Sequence, residues 1–89
     1  MEIDDLIKYL KFCGLSVWDF RKSYFGEDEY EIVFKMYNIE KDGKNVVQIF
    51  NDAQWNVLSI HFYSSGLYVK FVVKFEPLGK YEDIAFAYE

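Results

Sequence analysis

Hydrophobic and polar residues alternate most regularly between Asn56 and Phe75, where the pattern predicts a β-hairpin. When the two arms are paired around a turn at Ser65 and Gly66, one face of the hairpin becomes wholly apolar. The residues on this face, which we expect to be buried, are Leu58, Ile60, Phe62, Val69, Phe71 and Val73. A slip of one residue would turn every one of them to the other face, so the pattern specifies its own pairing.

The opposite face of this hairpin combines polar and aromatic residues. In the predicted register Tyr63 lies opposite Tyr68, and His61 lies opposite Lys70 at about 5 Å between Cβ atoms. The remaining predicted pairs on this face are Ser59 with Val72 and Val57 with Lys74. A monomer gains little from two tyrosines on an exposed face. We therefore expect Tyr63 and Tyr68 to contact a partner or a second copy of the chain.

The N-terminal segment from Ile3 to Cys13 has apolar residues at helical spacing, with aspartates at its start and lysines later. This order of charges is the one that a helix dipole favours. Gly14 then supplies the residue that commonly follows a helix end, and Leu15 supplies the hydrophobic contact that goes with it. The pattern predicts one helix here.

The next segment, Ser16 to Phe25, fits two interpretations. Ser16 followed by Asp19 is typical of a helix cap, whereas the aromatic residues of the segment also fit one face of a strand. Its Trp, Tyr, Phe and Val content favours the strand.

A second hairpin is predicted in the middle of the chain. The pattern predicts a strand at Tyr30 to Ile39 and its return strand at Val46 to Phe50. The residues between them, Glu40 to Lys44, have the composition of a type I turn with Gly43 in the left-handed conformation. The predicted pairs include Phe34 with Phe50 and Tyr37 with Val47. A two-residue loop would shift these pairs by one residue.

A final strand is predicted from Tyr81 to Tyr88, after a turn at Pro77 to Gly79. A three-residue loop places Lys74 opposite Glu82 and brings Phe86 to the face that carries the tyrosines. Together these elements predict an α+β fold for the single domain of residues 1–89. It consists of one N-terminal helix packed on an antiparallel meander sheet of about five strands.

Amino-acid composition says little about the fold but excludes several classes of function. The chain has a net charge of −5 and one arginine, Arg21. Direct binding of DNA or RNA requires clustered Arg and Lys, so the natural partner is a basic protein instead. A single cysteine excludes an internal disulfide, and no apolar run is long enough to cross a membrane. We expect a cytoplasmic protein.

Residues that could carry chemistry are few. His61 is the only histidine, and no Cys, Asp or Glu is its near neighbour on the predicted hairpin face, so we expect a solvated side chain. Cys13 ends the helix and is expected to pack as a small hydrophobe. The sequence has no glycine-rich phosphate loop and no calcium-loop pattern. We therefore predict no catalytic residue, no metal and no cofactor, and a protein that is not an enzyme.

An acidic run beside Tyr30 is the remaining candidate site. Its four acids are Glu27, Asp28, Glu29 and Glu31. They fit a solvated loop. They also fit an interface, because carboxylates at strand spacing can imitate backbone phosphates and occupy the basic groove of a nucleic-acid-binding protein.

In size, charge and layout over its whole length, this acidic, aromatic, cysteine-poor chain resembles the phage-encoded inhibitors of bacterial defence. These include anti-CRISPR proteins and other DNA mimics, and bacterial immunity proteins against secreted nucleases are similar in the same way. The resemblance implies inhibition by occupying a partner's surface, without chemistry. We therefore expect a non-enzymatic inhibitor of a nucleic-acid-handling protein, such as a bacterial defence nuclease, that acts in the host cytoplasm if a phage encodes it. The alternative is an adaptor or homodimerising module that uses an aromatic sheet face.

Overall fold

The computed structural model describes residues 2–24, 26–64 and 66–76. In chain order its elements are α1 Ile3–Phe12, β1 Ser16–Lys22, β2 Glu29–Lys35, α2 Ile39–Asp52, β3 Trp55–Phe62 and β4 Tyr68–Phe75. The strands form one antiparallel sheet in the order β1-β2-β4-β3. The α+β class and the strand at Ser16 are thus confirmed. The predicted five-strand meander with a single helix is wrong, because the described residues form two helices and four strands, with β4 between β2 and β3.

Helix α1 ends as the sequence predicts. The Leu15 N–H donates to the Leu10 carbonyl at 3.1 Å, and the Gly14 N–H donates to the Lys11 carbonyl at 3.0 Å. These two bonds form a Schellman motif, which requires the left-handed backbone that Gly14 adopts with a φ of +86°. Cys13, at the C-cap position, is exposed, so the expectation that it packs as a small hydrophobe is wrong.

The main error concerns helix α2. Its residues include the predicted turn at Glu40 to Lys44 and the predicted strand at Val46 to Phe50, and β2 ends at Lys35, well before Ile39. The Asn38 side chain caps this helix by accepting a hydrogen bond from the Lys41 N–H at 3.2 Å. The two buried residues of α2, Val46 and Phe50, lie four positions apart. That spacing keeps them on one side of a strand as well as on one side of a helix, so the apolar pattern does not separate the two.

Substitution of Gly43 tests whether this residue lies in helix α2 or in a turn. We expect Gly43→Ala to stabilise the protein by about 0.5 to 1 kcal/mol, because Ala is favoured over Gly inside a helix. A Cβ at this position would meet no atom within 4 Å. In the left-handed turn that the sequence predicts, the same substitution would destabilise the protein. Chemical denaturation of both proteins gives the sign, and a loss of stability would contradict the helix.

The β3–β4 hairpin follows the predicted register along most of its length. Ile60 lies opposite Phe71, His61 opposite Lys70 and Phe62 opposite Val69. The ladder continues past Phe62, since the Tyr63 N–H donates to the Tyr68 carbonyl at 3.1 Å. A β-bulge between Val57 and Ser59 shifts the other end, so that Val57 lies opposite Val73. The predicted pairs of Leu58 with Val73 and of Val57 with Lys74 are therefore wrong.

Both helices pack on one face of the sheet and form a single core with it. The buried apolar residues are Leu6, Ile7, Leu10, Ile32, Phe34, Met36, Val46, Phe50, Trp55, Val69, Phe71 and Val73. The predicted burial of the three β4 residues is confirmed. On β3 it is wrong, because Leu58, Ile60 and Phe62 retain 45%, 40% and 64% of their exposure. An edge strand has a neighbouring strand on one side only, which leaves its apolar side chains partly uncovered.

The predicted final strand from Tyr81 to Tyr88, with its pairs to β4 and its contribution of Phe86 to the tyrosine face, lies outside the described residues. Within the described part, β4 has both edges occupied, one by β2 and the other by β3.

Candidate functional site

The face of the sheet opposite the two helices is the candidate site, and we call it the open face. In the described residues it is covered by neither helix, since both belong to the core on the other side. The register brings four strands together here in cross-strand rows. One row consists of Asp19, Val33, Lys70 and His61, and the next consists of Arg21, Glu31, Val72 and Ser59. The open face is therefore a mixed surface of charged, polar and apolar residues.

An aromatic cluster of Trp18, Tyr63 and Tyr68 lies at one end of the open face. The rings of Trp18 and Tyr68 meet edge to face, with centroids 5.2 Å apart. Trp18 is 64% exposed and Tyr63 is 45% exposed. With Asp19 and Val33, the cluster lines a shallow depression of about 500 Å³. The pairing of Tyr63 with Tyr68 is as predicted, and their role in partner binding remains a prediction.

Sequence reasoning missed Trp18 as a member of this cluster. Strict alternation puts Trp18 on the same side as Phe20, but a β-bulge between Val17 and Asp19 interrupts the alternation on β1. Contact with Tyr68 also depends on the strand order, which the hairpin patterns do not contain.

A three-residue ion-pair ladder occupies the middle of the open face. Glu31 on β2 accepts from Lys70 Nζ at 3.0 Å and from Arg21 Nε at 3.1 Å, so it joins β4 to β1. Its side chain is 18% exposed and that of Lys70 is 22% exposed. The hydrogen bond from Lys70 lowers the pKa of Glu31 below its ordinary value, against the opposing effect of burial, and the Arg21 charge adds to the lowering.

This ladder changes the interpretation of the acidic run. Glu31 is paired with two cations, and Glu29 lies opposite Lys74 in the sheet. Glu27 and Asp28 are exposed in the turn before β2, where Asp28 has a positive φ of 57°. The run is therefore divided into Glu31, which is paired with cations, Glu29, which lies opposite a lysine in the strand register, and the exposed pair Glu27 and Asp28, which we call the acidic tip. Whether any of them binds a partner stays a prediction.

Ser59 and His61 form a hydrogen-bonded pair of nucleophile and base on the open face. Ser59 Oγ and His61 Nε2 are 3.0 Å apart. Sequence reasoning examined Cys, Asp and Glu around His61 and overlooked Ser59, although residues two apart share a strand face. Glu31, the carboxylate in the row of Ser59, is already paired with Lys70 and Arg21. The described residues thus give the pair no orienting acid, which a catalytic triad requires.

Metal ligands do not converge anywhere in residues 2–24, 26–64 and 66–76, where no group of three or more His, Cys, Asp or Glu could hold an ion. Within the same ranges, no helix has the length and apolarity needed to cross a membrane.

Fold and site define a two-layer α+β domain with an open, partly aromatic sheet face. Comparisons with protein-family models, with curated proteins and with solved structures found no match. The geometry and charge of the open face are therefore the basis on which a function is proposed.

Proposed function

We propose that this chain is a non-enzymatic binding protein that docks its open face on another protein, with Trp18, Tyr63 and Tyr68 at the centre of contact. The aromatic cluster is the observation that carries the proposal. Single exposed aromatic residues are common on protein surfaces, but a contiguous set on a sheet face without covering helices is typical of an interface. Tyr and Trp are also the residues most enriched among binding hot spots.

The charge distribution supports a basic partner. The net charge of −5 attracts basic proteins over distances of about a Debye length. Close to the cluster, the two negative charges of Asp19 and Glu31 balance the two positive charges of Arg21 and Lys70. The open face therefore suits an apolar contact with the partner, whereas the net negative charge of the whole molecule increases the rate at which a basic partner approaches it. A nucleic-acid-handling protein that is blocked by occlusion has the required basic surface.

The test is to compare two aromatic truncations, Trp18→Ala and Tyr24→Ala. Both side chains are well exposed, at 64% and 96%, and only Trp18 belongs to the cluster. We expect Trp18→Ala to weaken binding to a protein recovered from the host lysate by about tenfold or more, as for an interface hot spot. Tyr24→Ala should leave the affinity unchanged. Equal effects of the two variants would contradict docking through the open face.

The acidic tip supports a second, electrostatic form of the same function. Glu27 and Asp28 are both exposed at the end of the β1–β2 hairpin, where they could enter a basic groove. The double variant Glu27→Gln with Asp28→Asn removes both charges, and Asn tolerates the left-handed backbone at position 28. Rim charges act mainly on association, so we expect a slower on-rate and a weaker salt dependence. An unchanged on-rate across a salt series would mean that the tip is only a solvated turn.

A further inference from the structure

Besides the open face, the outer edge of β3 is a surface that lacks a partner in the described residues. Since the Tyr63 N–H donates to the Tyr68 carbonyl, the antiparallel ladder makes His61 and Ser59 the next residues bonded to β4. Ile60 and Phe62 alternate with them. Their N–H and C=O groups therefore point away from β4, towards the free edge. We propose that a second copy of this chain pairs with this edge and forms a twofold symmetric dimer.

The two edges of the sheet differ in how they oppose such pairing. Proteins protect edge strands with charged residues, bulges and prolines. The edge strand β1 carries Asp19, Arg21 and Lys22 and has a bulge near Trp18. The edge strand β3 contains no Asp, Glu, Lys, Arg or Pro over its eight residues. It has a bulge at Leu58, but the half of the strand from Ser59 to Phe62 pairs regularly with β4. Edge pairing is thus opposed at β1 and permitted at this half of β3.

An apolar groove runs beside the same half of β3 on the helix side of the sheet. It has a volume of about 600 Å³, and its lining includes Ile60 and Phe62 with Ile39, Gly43 and Val47 of α2. The residues that present free main-chain groups at the edge thus also present uncovered apolar side chains beside it. Pairing at this edge would satisfy the main chain and cover the groove at once.

The charges at the rim of the groove favour a second copy as the occupant. Glu40 and Lys44, one helical turn apart on α2, carry opposite charges, with 3.9 Å between Oε1 and Nζ. A chain of net charge −5 repels itself over most of its surface, but two copies meeting here present a balanced pair to each other. Such self-complementarity is what a twofold interface requires.

One register pairs all the main-chain groups of this half-strand that lack a partner in the described residues. With His61 on the twofold axis, Ile60 of each copy lies opposite Phe62 of the other, and the two pairs form four main-chain hydrogen bonds. The side chains of these residues then meet on the helix side, between the two α2 helices. The open faces stay free and become parts of one eight-stranded sheet. The dimer does not depend on the proposed function, since it uses the edge of β3 and not the open face.

Sedimentation equilibrium of the full chain tests the dimer with two matched variants, Phe62→Glu and Phe12→Glu. Both side chains are exposed, at 64% and 89%, and only Phe62 lines the groove. We expect the wild type and Phe12→Glu to dimerise. Phe62→Glu should raise the dimer dissociation constant by about 30-fold or more, as for loss of an interface hot spot. Equal self-association of the two variants, or a wild type that stays monomeric at high concentration, would overturn the proposal.

A main-chain measurement separates the second copy from other occupants. The amide hydrogens of Ile60 and Phe62 should exchange more slowly as the protein concentration rises, because the dimer protects them. The variant Ile60→Pro removes one edge donor without removing a bond to β4, so it should weaken the dimer more than Ile60→Ala does. Protection that is the same at all concentrations would mean that the same chain covers the edge, and it would overturn the proposal.

Discussion

Replacing Phe71 with Ala is expected to lower the free energy of unfolding by about 3 to 5 kcal/mol. The Phe71 side chain is 1% exposed and lies in the central strand β4. Its ring centroid is 5.5 Å from that of Phe34 on β2 and 5.8 Å from that of Phe50 on α2. The substitution would therefore leave a cavity where the sheet meets α2. Phe34 and Phe50 pack against each other as well as against Phe71, so neither ring can move into the cavity without losing its contact with the other.

Chemical denaturation at a concentration low enough to give a monomer measures this effect, and Phe62→Ala is the matched control. Phe62 is on the same face of the adjacent strand but is 64% exposed. Its truncation should therefore cost less than about 1 kcal/mol. If both substitutions cost the same, β3 is covered as fully as β4, and the division into core strand and edge strand does not hold.

These two phenylalanines also show how far the sequence predicts the fold. Alternation from Ser59 to Phe62 and from Val69 to Val72 was sufficient to predict the register, because a slip would invert the faces. It could not predict which arm is central. That depends on β2, which is distant in sequence and joins β4 instead of β3. Burial of Ile60 and Phe62 therefore could not be derived from the hairpin itself.

Helix α2 shows a second limit, set by local ambiguity. Its segment contains Gly43 and a charged stretch with the composition of a turn, and its buried pair Val46 and Phe50 fits either period. The predicted cross-strand pair of Phe34 and Phe50 is therefore wrong, although the two rings are still neighbours. Their ring centroids are 6.3 Å apart across the helix–sheet interface and not across a strand pair.

Only part of the candidate site could be predicted from the sequence. The hairpin pattern contained the pairing of Tyr63 with Tyr68, since the two residues are close in sequence. Trp18 and Glu31 reach the open face through strand order and a bulge, which are properties of the assembled sheet. From composition alone, Glu31 was assigned to an acidic surface. In the folded sheet it is paired with Arg21 on β1 and Lys70 on β4, which gives it a structural role.

Neutralising Glu31 is expected to destabilise the protein more than neutralising an exposed acid. The substitution Glu31→Gln keeps the shape of the side chain but leaves the half-buried Lys70 and its neighbour Arg21 without a counter-charge. We expect a loss of about 1 to 2 kcal/mol near pH 7, between the values for exposed ion pairs and for charged hydrogen bonds in the interior. Glu27→Gln, the same chemical change at the exposed tip, should have almost no effect on the free energy of unfolding.

The pH dependence of this difference tests its cause. The hydrogen bond from Lys70 holds the pKa of Glu31 in the folded protein below its ordinary value of 4.5. A lowered folded-state pKa adds stability above the unfolded-state pKa, and that stability is lost as the pH falls through the folded-state value. The gap in unfolding free energy between wild type and Glu31→Gln should therefore be complete above about pH 5. It should shrink as the pH falls below about 4.5, whereas a gap that is constant down to strongly acidic pH would assign the loss to side-chain packing and not to the ion-pair ladder.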